Sequence, residues 1–375
     1  MDYEYIDTPE ALQSLVHRLG SESLLGVDTE AAGYHRYFDR LSLVQVSTRE
    51  RNYLIDPLAI GDLSALGPLL ADELVEKIFH DADYDLRILD RDEGLAVAGL
   101  FDTQIAAAFL GARSLGLGAI VEAYLGISLP KAYQRADWAE RPLTEGMKDY
   151  AATDTAHLPE LRDRLRADLA AKGRLEWAQE EFRRREETRW GENGDAREAF
   201  LRVKGARELT PRGLAVLREL HAWREEVARE RDQATFRVVG NPSLIALSLR
   251  PPENPGELAG VQGVPQWVAE RRGKEVLAAI RRGLAVPEEE LPRFPPSRRW
   301  ERDPEVEARS EQLRQTRNRV AEALDLDPGF LISRAVLDEV ARRNPANREE
   351  LLAIPEIRRW QVEAIGDEIL RTLHG

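Results

Sequence analysis

Short apolar runs separated by turn residues fill most of the first 60 residues, after which apolar positions fall mainly at the three-and-four spacing of helices. Tyr3–Ile6 reads as a short strand. Thr8-Pro9-Glu10 supplies an N-cap with proline in the first turn, and Leu12, Leu15, Val16 and Leu19 mark one apolar face that ends at Gly20. Leu24-Leu25-Gly26-Val27-Asp28 reads as a buried strand ending in an acid, followed by strands at Leu41–Ser47 and Asn52–Ile55 joined by a polar turn, which suggests an antiparallel meander. Val75–His80 is a further strand, and a helix is expected from about Asp83 to Leu89. Phe101–Leu110 and Leu117–Leu125 read as helices. Thr144 to Lys172 reads as one long helical stretch ending at Gly173 and kinked at Pro159, whose ring clashes with the carbonyl four residues back. Strands followed by this alternation predict a mixed sheet flanked by helices.

The second half is helical and repeats itself. Phe236-Arg-Val-Val matches Phe330-Leu-Ile-Ser, and a shift of 93 then places Leu244 on Leu337, Pro252 on Pro345, Leu258 on Leu351, Gly273 on Gly366 and Leu277 on Leu370. These are mostly the apolar, Gly and Pro positions that fix a core and its turns, so two copies of one helical module are expected. The proline- and arginine-bearing stretch Pro287–Pro304 joins them, with Arg293, Arg298, Arg299 and Arg302 either contacting a ligand or serving as a solvated connector.

With 375 residues, 43 % of them hydrophobic and 32 % charged, the chain is long enough for two or three domains and has the composition of a folded protein. It has no cysteine, which removes disulfides, thiolate metal sites and thiol nucleophiles, and fits a reducing compartment. No apolar run reaches the ~18–20 residues of a membrane span, and the start Met1-Asp2-Tyr3-Glu4 is acidic where a signal peptide is basic. A cytoplasmic protein without membrane association is expected. The net charge of −14 is uneven, with about −13 over residues 1–190 and about −1 over the remainder. So many carboxylates in one domain are either a solvated surface or, in part, a site for divalent cations.

Three acidic elements bear on that choice. Asp28 and Glu30 are two apart on a strand and face the same way, so their repulsion requires cations or a bound proton. His80-Asp81-Ala82-Asp83-Tyr84-Asp85 closes the next apolar strand and runs into a helix, where one Asp serves as N-cap and another is free to do more. Tyr150 and Asp154 share one face of a helix. Each element alone is ordinary. Together, four acids at two strand ends and on one helix form a hard-oxygen set suited to Mg²⁺ or Mn²⁺. Two such cations about 3.5–4 Å apart can activate water and stabilise the leaving oxygen in attack on a phosphodiester, with the tyrosine hydroxyl orienting the water or helping to take its proton.

Val27-Asp28-Thr29-Glu30, His80 with Asp85-Leu86, and Tyr150-Ala-Ala-Thr-Asp154 resemble the three motifs of the tyrosine-containing branch of the DEDD exonuclease superfamily, and more specifically the ribonuclease D family. The resemblance continues through Phe101–Ala106, Tyr124-Leu125-Gly126 and Gln134–Trp138, and Leu217–Ile280 and Leu313–Leu373 resemble two HRDC modules. It implies an α/β ribonuclease H-like (DnaQ-like) exonuclease domain with a mixed β-sheet over residues 1–190. Two all-α HRDC helical modules at 205–286 and 305–375 would follow, with a linker at 287–304. It implies a 3′–5′ exoribonuclease with two divalent metal ions, Mg²⁺ or Mn²⁺, held by Asp28, Glu30, Asp85 and Asp154, with Tyr150 positioning water. The implied partner is RNA with an accessible 3′ end, structured RNA such as tRNA precursors, cut by a monomer without an organic cofactor. Gln134, Arg135 and Trp138 are candidates for substrate contact, against a buried Trp138 beside a surface Arg135. His80 and His157 lie near the acids, and His80 is read as a packing or hydrogen-bonding residue rather than a ligand. Ala31-Ala32-Gly33 stands where the family often has an aromatic, which changes the expected contacts to the terminal base, and Thr316 replaces Trp223 in the more divergent second module.

The same motifs serve DNA exonucleases, since sugar selection depends on contacts outside them. They are also compatible with a non-catalytic RNA-binding scaffold that keeps the fold, and with a hydrolase of small nucleotides.

Overall fold

The computed structural model describes residues 2–191, 196–295 and 303–375. Six strands form one mixed sheet: β1 (Tyr3–Ile6), β2 (Leu24–Ala31), β3 (Leu41–Ser47), β4 (Asn52–Ile55), β5 (Glu76–Phe79) and β6 (Leu100–Asp102). Their order is β1-β4-β3-β2-β5-β6, with β2, β3 and β4 as the antiparallel meander. The pairs β1/β4, β2/β5 and β5/β6 are parallel. The helix Pro9–Leu19 starts as expected, with Thr8 accepting from the Ala11 amide at 3.2 Å and Pro9 in the first turn, where a missing N–H costs nothing.

Two expected helices require correction. Phe101 and Asp102 belong to β6, and the helix that follows is Thr103–Phe109. A three-residue parallel strand buried throughout has no period to betray it, so it reads as the start of the apolar helix. The stretch 144–172 is two helices, Glu145–Ala156 and Leu158–Ala171, meeting at His157. Pro159 therefore lies in the first turn of a new helix, which its ring favours, rather than kinking the interior of an old one.

The repeat appears as paired helices. Pro211–Glu230, Thr235–Val238, Asn241–Leu249 and Pro255–Ala259 in the first copy correspond to Pro304–Leu324, Pro328–Leu331, Arg334–Arg343 and Arg348–Leu352 in the second. The copies differ at the end, where Gln266–Arg271 and Gly273–Leu284 are separated at Arg272 while Arg359–His374 is continuous. At the divergent pair, the Trp223 indole N–H donates to Glu275 at 3.1 Å, whereas the Thr316 hydroxyl bonds that of Thr372 at 2.8 Å. In the linker Arg293 is exposed, and Arg298, Arg299 and Arg302 lie outside the described residues.

The copies are also anchored differently. The first has a hydrophobic core of its own around Leu217, Trp223 and Leu244. The second shares its core with the N-terminal domain, where Phe109 packs against Phe330 and Trp360 at ring-centroid distances of 4.8 and 4.9 Å. Arg174, buried, donates to the carbonyl oxygens of Phe109 at 2.6 Å and Leu324 at 2.5 Å. Among the described residues no helix is long and apolar enough to cross a membrane.

Candidate active site

The site is built on β2. Residues two apart on a strand share a face, so Asp28 and Glu30 point together toward the side that the helix Glu145–Ala156 covers, over Leu43 and Leu54. Asp154 comes from that helix, and one carboxylate oxygen from each of Asp28, Glu30 and Asp154 lies within 4.8 Å of the others. The Tyr150 hydroxyl, one turn earlier, is hydrogen-bonded to Asp154. Asp85 stands beside this trio in the first turn of the helix Asp83–Glu93, buried, and accepts a hydrogen bond from the Thr29 hydroxyl. The structure thus brings all five predicted residues to one place, with three acids in tight contact and the fourth adjacent.

Burial and mutual repulsion shape their protonation. Asp28 is pushed up to about 8, by burial first and then by the charge of Asp154. Asp154 is pushed up to about 7 by burial, against the pull of the Tyr150 hydrogen bond. Glu30, buried among Asp28, Asp154 and Asp85, and Asp85, buried beside Asp28, both lie well above the ordinary carboxylate range. The Tyr150 phenol is also raised, by burial and then by Asp154 and Glu30. A cluster that resists full ionisation at neutral pH, made only of hard oxygen donors, fits divalent cations of the Mg²⁺ or Mn²⁺ type.

The loop into the Asp83–Glu93 helix corrects the expected cap. None of Asp81, Asp83 and Asp85 caps it. Ala82 occupies the N-cap and Asp81 adopts a left-handed backbone with φ of 59°. The Asp102 carboxylate accepts instead from the amides of Asp81 (3.2 Å) and Ala82 (2.9 Å), and also from Gln104 (2.8 Å) and Ile105 (3.2 Å). One buried acid therefore caps its own helix and holds the loop that delivers Asp85. Its sequence signal was the Asp-Thr pair after an apolar run, hidden by reading Phe101–Leu110 as helical.

His80 behaves as the hydrogen-bonding residue expected. The Thr103 hydroxyl donates to the Phe79 carbonyl at 3.1 Å and is hydrogen-bonded to His80 Nδ1 at 2.9 Å. Burial lowers the His80 pKa, against the nearby charges of Asp102 and Asp81, so the neutral form is favoured. His157 sits at the junction of the two helices.

The three candidate substrate residues separate. Gln134 lines a cavity of about 360 Å³ together with Asp28, His80, Tyr150 and Asp154. Arg135 is exposed, with its guanidinium 5.6 Å from the Tyr34 ring centroid. Trp138 is the correction: it is 2 % exposed and packs behind Tyr150 at 6.2 Å between ring centroids, so it supports the tyrosine and does not face substrate. Two supporting residues carried no motif. Arg141 donates to both oxygens of the buried Asp56 at 2.7 Å and to the carbonyl oxygens of Trp138 (2.7 Å) and Ser42 (2.6 Å), fastening the 134–142 segment to the sheet. Gln45 lies directly across the β2/β3 ladder from Asp28, and among the described residues its buried amide has no hydrogen-bond partner.

A mixed sheet that presents four acids and a tyrosine beside a cleft, followed by two copies of one helical module, has the architecture of a 3′–5′ exonuclease with helical accessory domains. Residues 3–170 match the 3′–5′ exonuclease family, and residues 213–280 and 306–373 match the HRDC domain. The chain is 33 % identical to ribonuclease D of Pseudomonas paraeruginosa, over 99 % of this chain and 98 % of that protein. Among solved structures it is similar to Escherichia coli RNase D, an exoribonuclease involved in structured RNA processing, with a TM-score of 0.71 at 30 % identity covering 100 % and 99 % of the two chains. A Bifidobacterium adolescentis protein superposes with a TM-score of 0.80 at 28 % identity, covering 100 % and 97 %. The chain belongs to the ribonuclease D family.

Proposed function

We propose that this ribonuclease D family exonuclease removes nucleotides one at a time from RNA 3′ ends, with structured RNA such as tRNA precursors as its substrate class, and that Asp28, Glu30, Asp85 and Asp154 hold two divalent cations, Mg²⁺ or Mn²⁺. The observation that carries this reading is the convergence of Asp28, Glu30 and Asp154 within 4.8 Å, a spacing that three carboxylates tolerate poorly without a cation. Cations there would supply charge neutralisation at the phosphate and lower the pKa of the attacking water. The Tyr150 hydroxyl donates to Asp154, so its oxygen accepts a hydrogen bond from that water and orients it toward phosphorus. The water oxygen bonds to phosphorus as the bond to the 3′ oxygen of the preceding nucleotide breaks. That oxygen takes the electron pair and a proton, and a nucleoside 5′-monophosphate leaves. Gln134 borders the cavity beside Asp28 and Tyr150, which takes the terminal nucleotide. All these groups come from one chain, which supports action as a monomer.

The test is digestion of a 5′-labelled RNA bearing a single-stranded 3′ tail after a stable stem, beside the matched DNA, with Mg²⁺, with Mn²⁺ and with chelator. A metal-dependent ladder shortening from the RNA 3′ end, absent in Asp154→Ala, is expected. Trimming of DNA alone, or of neither strand, would overturn the proposal.

A further inference from the structure

The carboxylate cluster separates two cavities. On one side is the 360 Å³ cavity that Asp28, Gln134, Tyr150 and Asp154 line. On the other is a groove of about 760 Å³, walled by Thr29, Glu30 and the β2–β3 loop of the exonuclease domain and by Phe236 of the first HRDC module. A space of that size accepts a nucleotide-sized ligand.

The groove is built in advance by contacts between the two domains. The Ala234 amide donates to the His35 carbonyl at 3.0 Å, and the Asp232 carboxylate accepts from the amides of Tyr37 and Phe38, each at 3.2 Å. The His35 imidazole Nε2 donates to the Arg135 carbonyl at 2.8 Å, and Arg237 Nε donates to the Tyr34 carbonyl at 3.1 Å. These bonds hold two exposed aromatic rings together at the groove. Tyr34 is 41 % and Phe236 50 % exposed, with centroids 5.5 Å apart and planes tilted by 54°.

Charge says what belongs there. The Arg135 and Arg237 guanidiniums lie 5.6 and 5.2 Å from the Tyr34 ring centroid, and among the described residues neither has a carboxylate partner. Arg36, nearby, is by contrast paired with Asp137 at 2.7 Å and so is committed to the fold. The groove's acids Asp39 and Glu225 are engaged, Asp39 by the Gly33 amide and the Tyr84 hydroxyl and Glu225 by Arg224. The two uncompensated cations beside Tyr34 at the groove's edge, Arg135 of the exonuclease domain and Arg237 of the first HRDC module, therefore fit an anionic ligand, and the exposed rings fit a flat one. A single-stranded polynucleotide has both properties, an anionic backbone and bases that stack.

Resting on the exoribonuclease reading, we propose that Tyr34 and Phe236 form an angled aromatic platform for a base upstream of the scissile phosphate, one ring stacking on its face and the other packing against its edge, with Arg135 and Arg237 taking the adjoining phosphates. The RNA strand then runs from the terminal-nucleotide cavity across Glu30 and into the groove. The first HRDC module thereby contributes a side chain to the substrate path of the exonuclease domain.

The test is a binding cycle on the full chain carrying Asp154→Ala, which holds RNA without cutting it. A 5′-fluorescein 12-nucleotide single-stranded RNA is compared with versions abasic at single positions two to six from the 3′ end, with and without Phe236→Leu or Tyr34→Leu. Leucine keeps apolar bulk and removes the ring face. Expected is one position where loss of the base weakens binding about tenfold with both rings present and less than twofold once either ring is gone. Arg237→Gln should flatten the salt dependence of binding. If base loss and ring loss add independently at every position, the platform does not exist, and Phe236 only joins two domains. Phe236→Trp, which restores a ring, should restore the coupling, whereas a merely structural role would show equal effects on intact and abasic RNA. Because the cycle reads binding alone, its outcome is independent of whether the wild-type chain trims RNA, which the digestion test decides.

Discussion

The Thr29 hydroxyl, between two acids on β2, donates to the carboxylate of Asp85 on the Asp83–Glu93 helix. Strand alternation turns Asp28 and Glu30 to one side and frees Thr29 for this bond, so β2 carries two carboxylates of the cluster and the anchor of a third. Thr29→Val preserves shape and removes the donor. Expected is a loss of Mn²⁺ affinity of about 10- to 100-fold, the usual scale for removing a hydrogen bond behind a metal ligand. Calorimetric titration of Mn²⁺ measures it, and Thr29→Ser, which keeps the hydroxyl, should restore most of the affinity. Equal affinities for the valine variant and wild type would show that Asp85 needs no such support.

The protonation of the cluster predicts how metal and pH act on stability. Asp28 and Asp154 titrate near 8 and 7 when folded and near 4 when unfolded. Between those values the folded chain binds more protons than the unfolded one, so this contribution is fully present below about pH 4 and is lost as pH rises through 7 and 8. The metal-free protein should therefore lose stability between pH 5.5 and 8.5, and saturating Mn²⁺ should raise Tm more at pH 8.5, where protons no longer compete. A hundredfold excess over Kd corresponds to about 2.7 kcal/mol. Asp28→Asn should abolish the metal response and raise the metal-free Tm at pH 8.5 by removing repulsion, while cleavage falls by at least about a thousandfold. Scanning calorimetry with chelator and with Mn²⁺ is the measurement, and a metal response larger at pH 5.5 would contradict the assignment.

The acids were legible because their spacing reflects strand and helix periods directly: Asp28 and Glu30 two apart, Tyr150 and Asp154 four apart. The meander and the repeat were legible for the same reason. What escaped depends on partners distant in sequence. Asp102 reads as the interior of the apolar helix from Phe101, and only the fold shows it ending β6, capping the next helix and gripping Asp81 and Ala82 twenty residues earlier. Trp138 next to an arginine reads equally as a base platform or as packing, and the choice depends on Tyr150 coming to lie against it. That the second module shares a core with the exonuclease domain while the first keeps its own has no local signature, since both copies show the same apolar spacing.

Arg141 and Asp56 make an ion pair around a buried carboxylate that no sequence motif marks. Burial alone would raise the Asp56 pKa, but the Arg141 guanidinium and the Tyr5 hydroxyl at 2.5 Å hold it below the usual carboxylate range. Arg141→Ala would leave a buried carboxylate unpaired and release the carbonyls of Ser42 and Trp138. The expected cost is about 3–5 kcal/mol. Asp56 is depressed when folded, so its contribution is present above about pH 4 and lost as pH falls further through the folded value. The deficit of the alanine variant, measured by urea unfolding, should shrink at pH 3. A deficit independent of pH would assign the loss to packing instead.

Trp360 tests whether the second HRDC module is a buttress for the catalytic domain. It is 2 % exposed, its indole N–H donates to Glu181 at 2.7 Å, and its ring meets Phe109, which belongs to the helix that follows Asp102. The helix Leu175–Glu186, which carries Glu181, packs on β6 and on Thr103–Phe109, so the contact leads back to the loop that Asp102 holds. Trp360→Ala should cost about 3–5 kcal/mol, as for other buried tryptophans. Because one core serves both units, that loss should appear as heat inactivation of cleavage at a lower temperature. Trp223→Ala, in the separate core of the first module, should destabilise that module while the metal-dependent rise in Tm of the catalytic domain persists. Following residual cleavage against temperature in parallel with calorimetry distinguishes the two, and equal inactivation by both substitutions would mean that the three domains unfold as one.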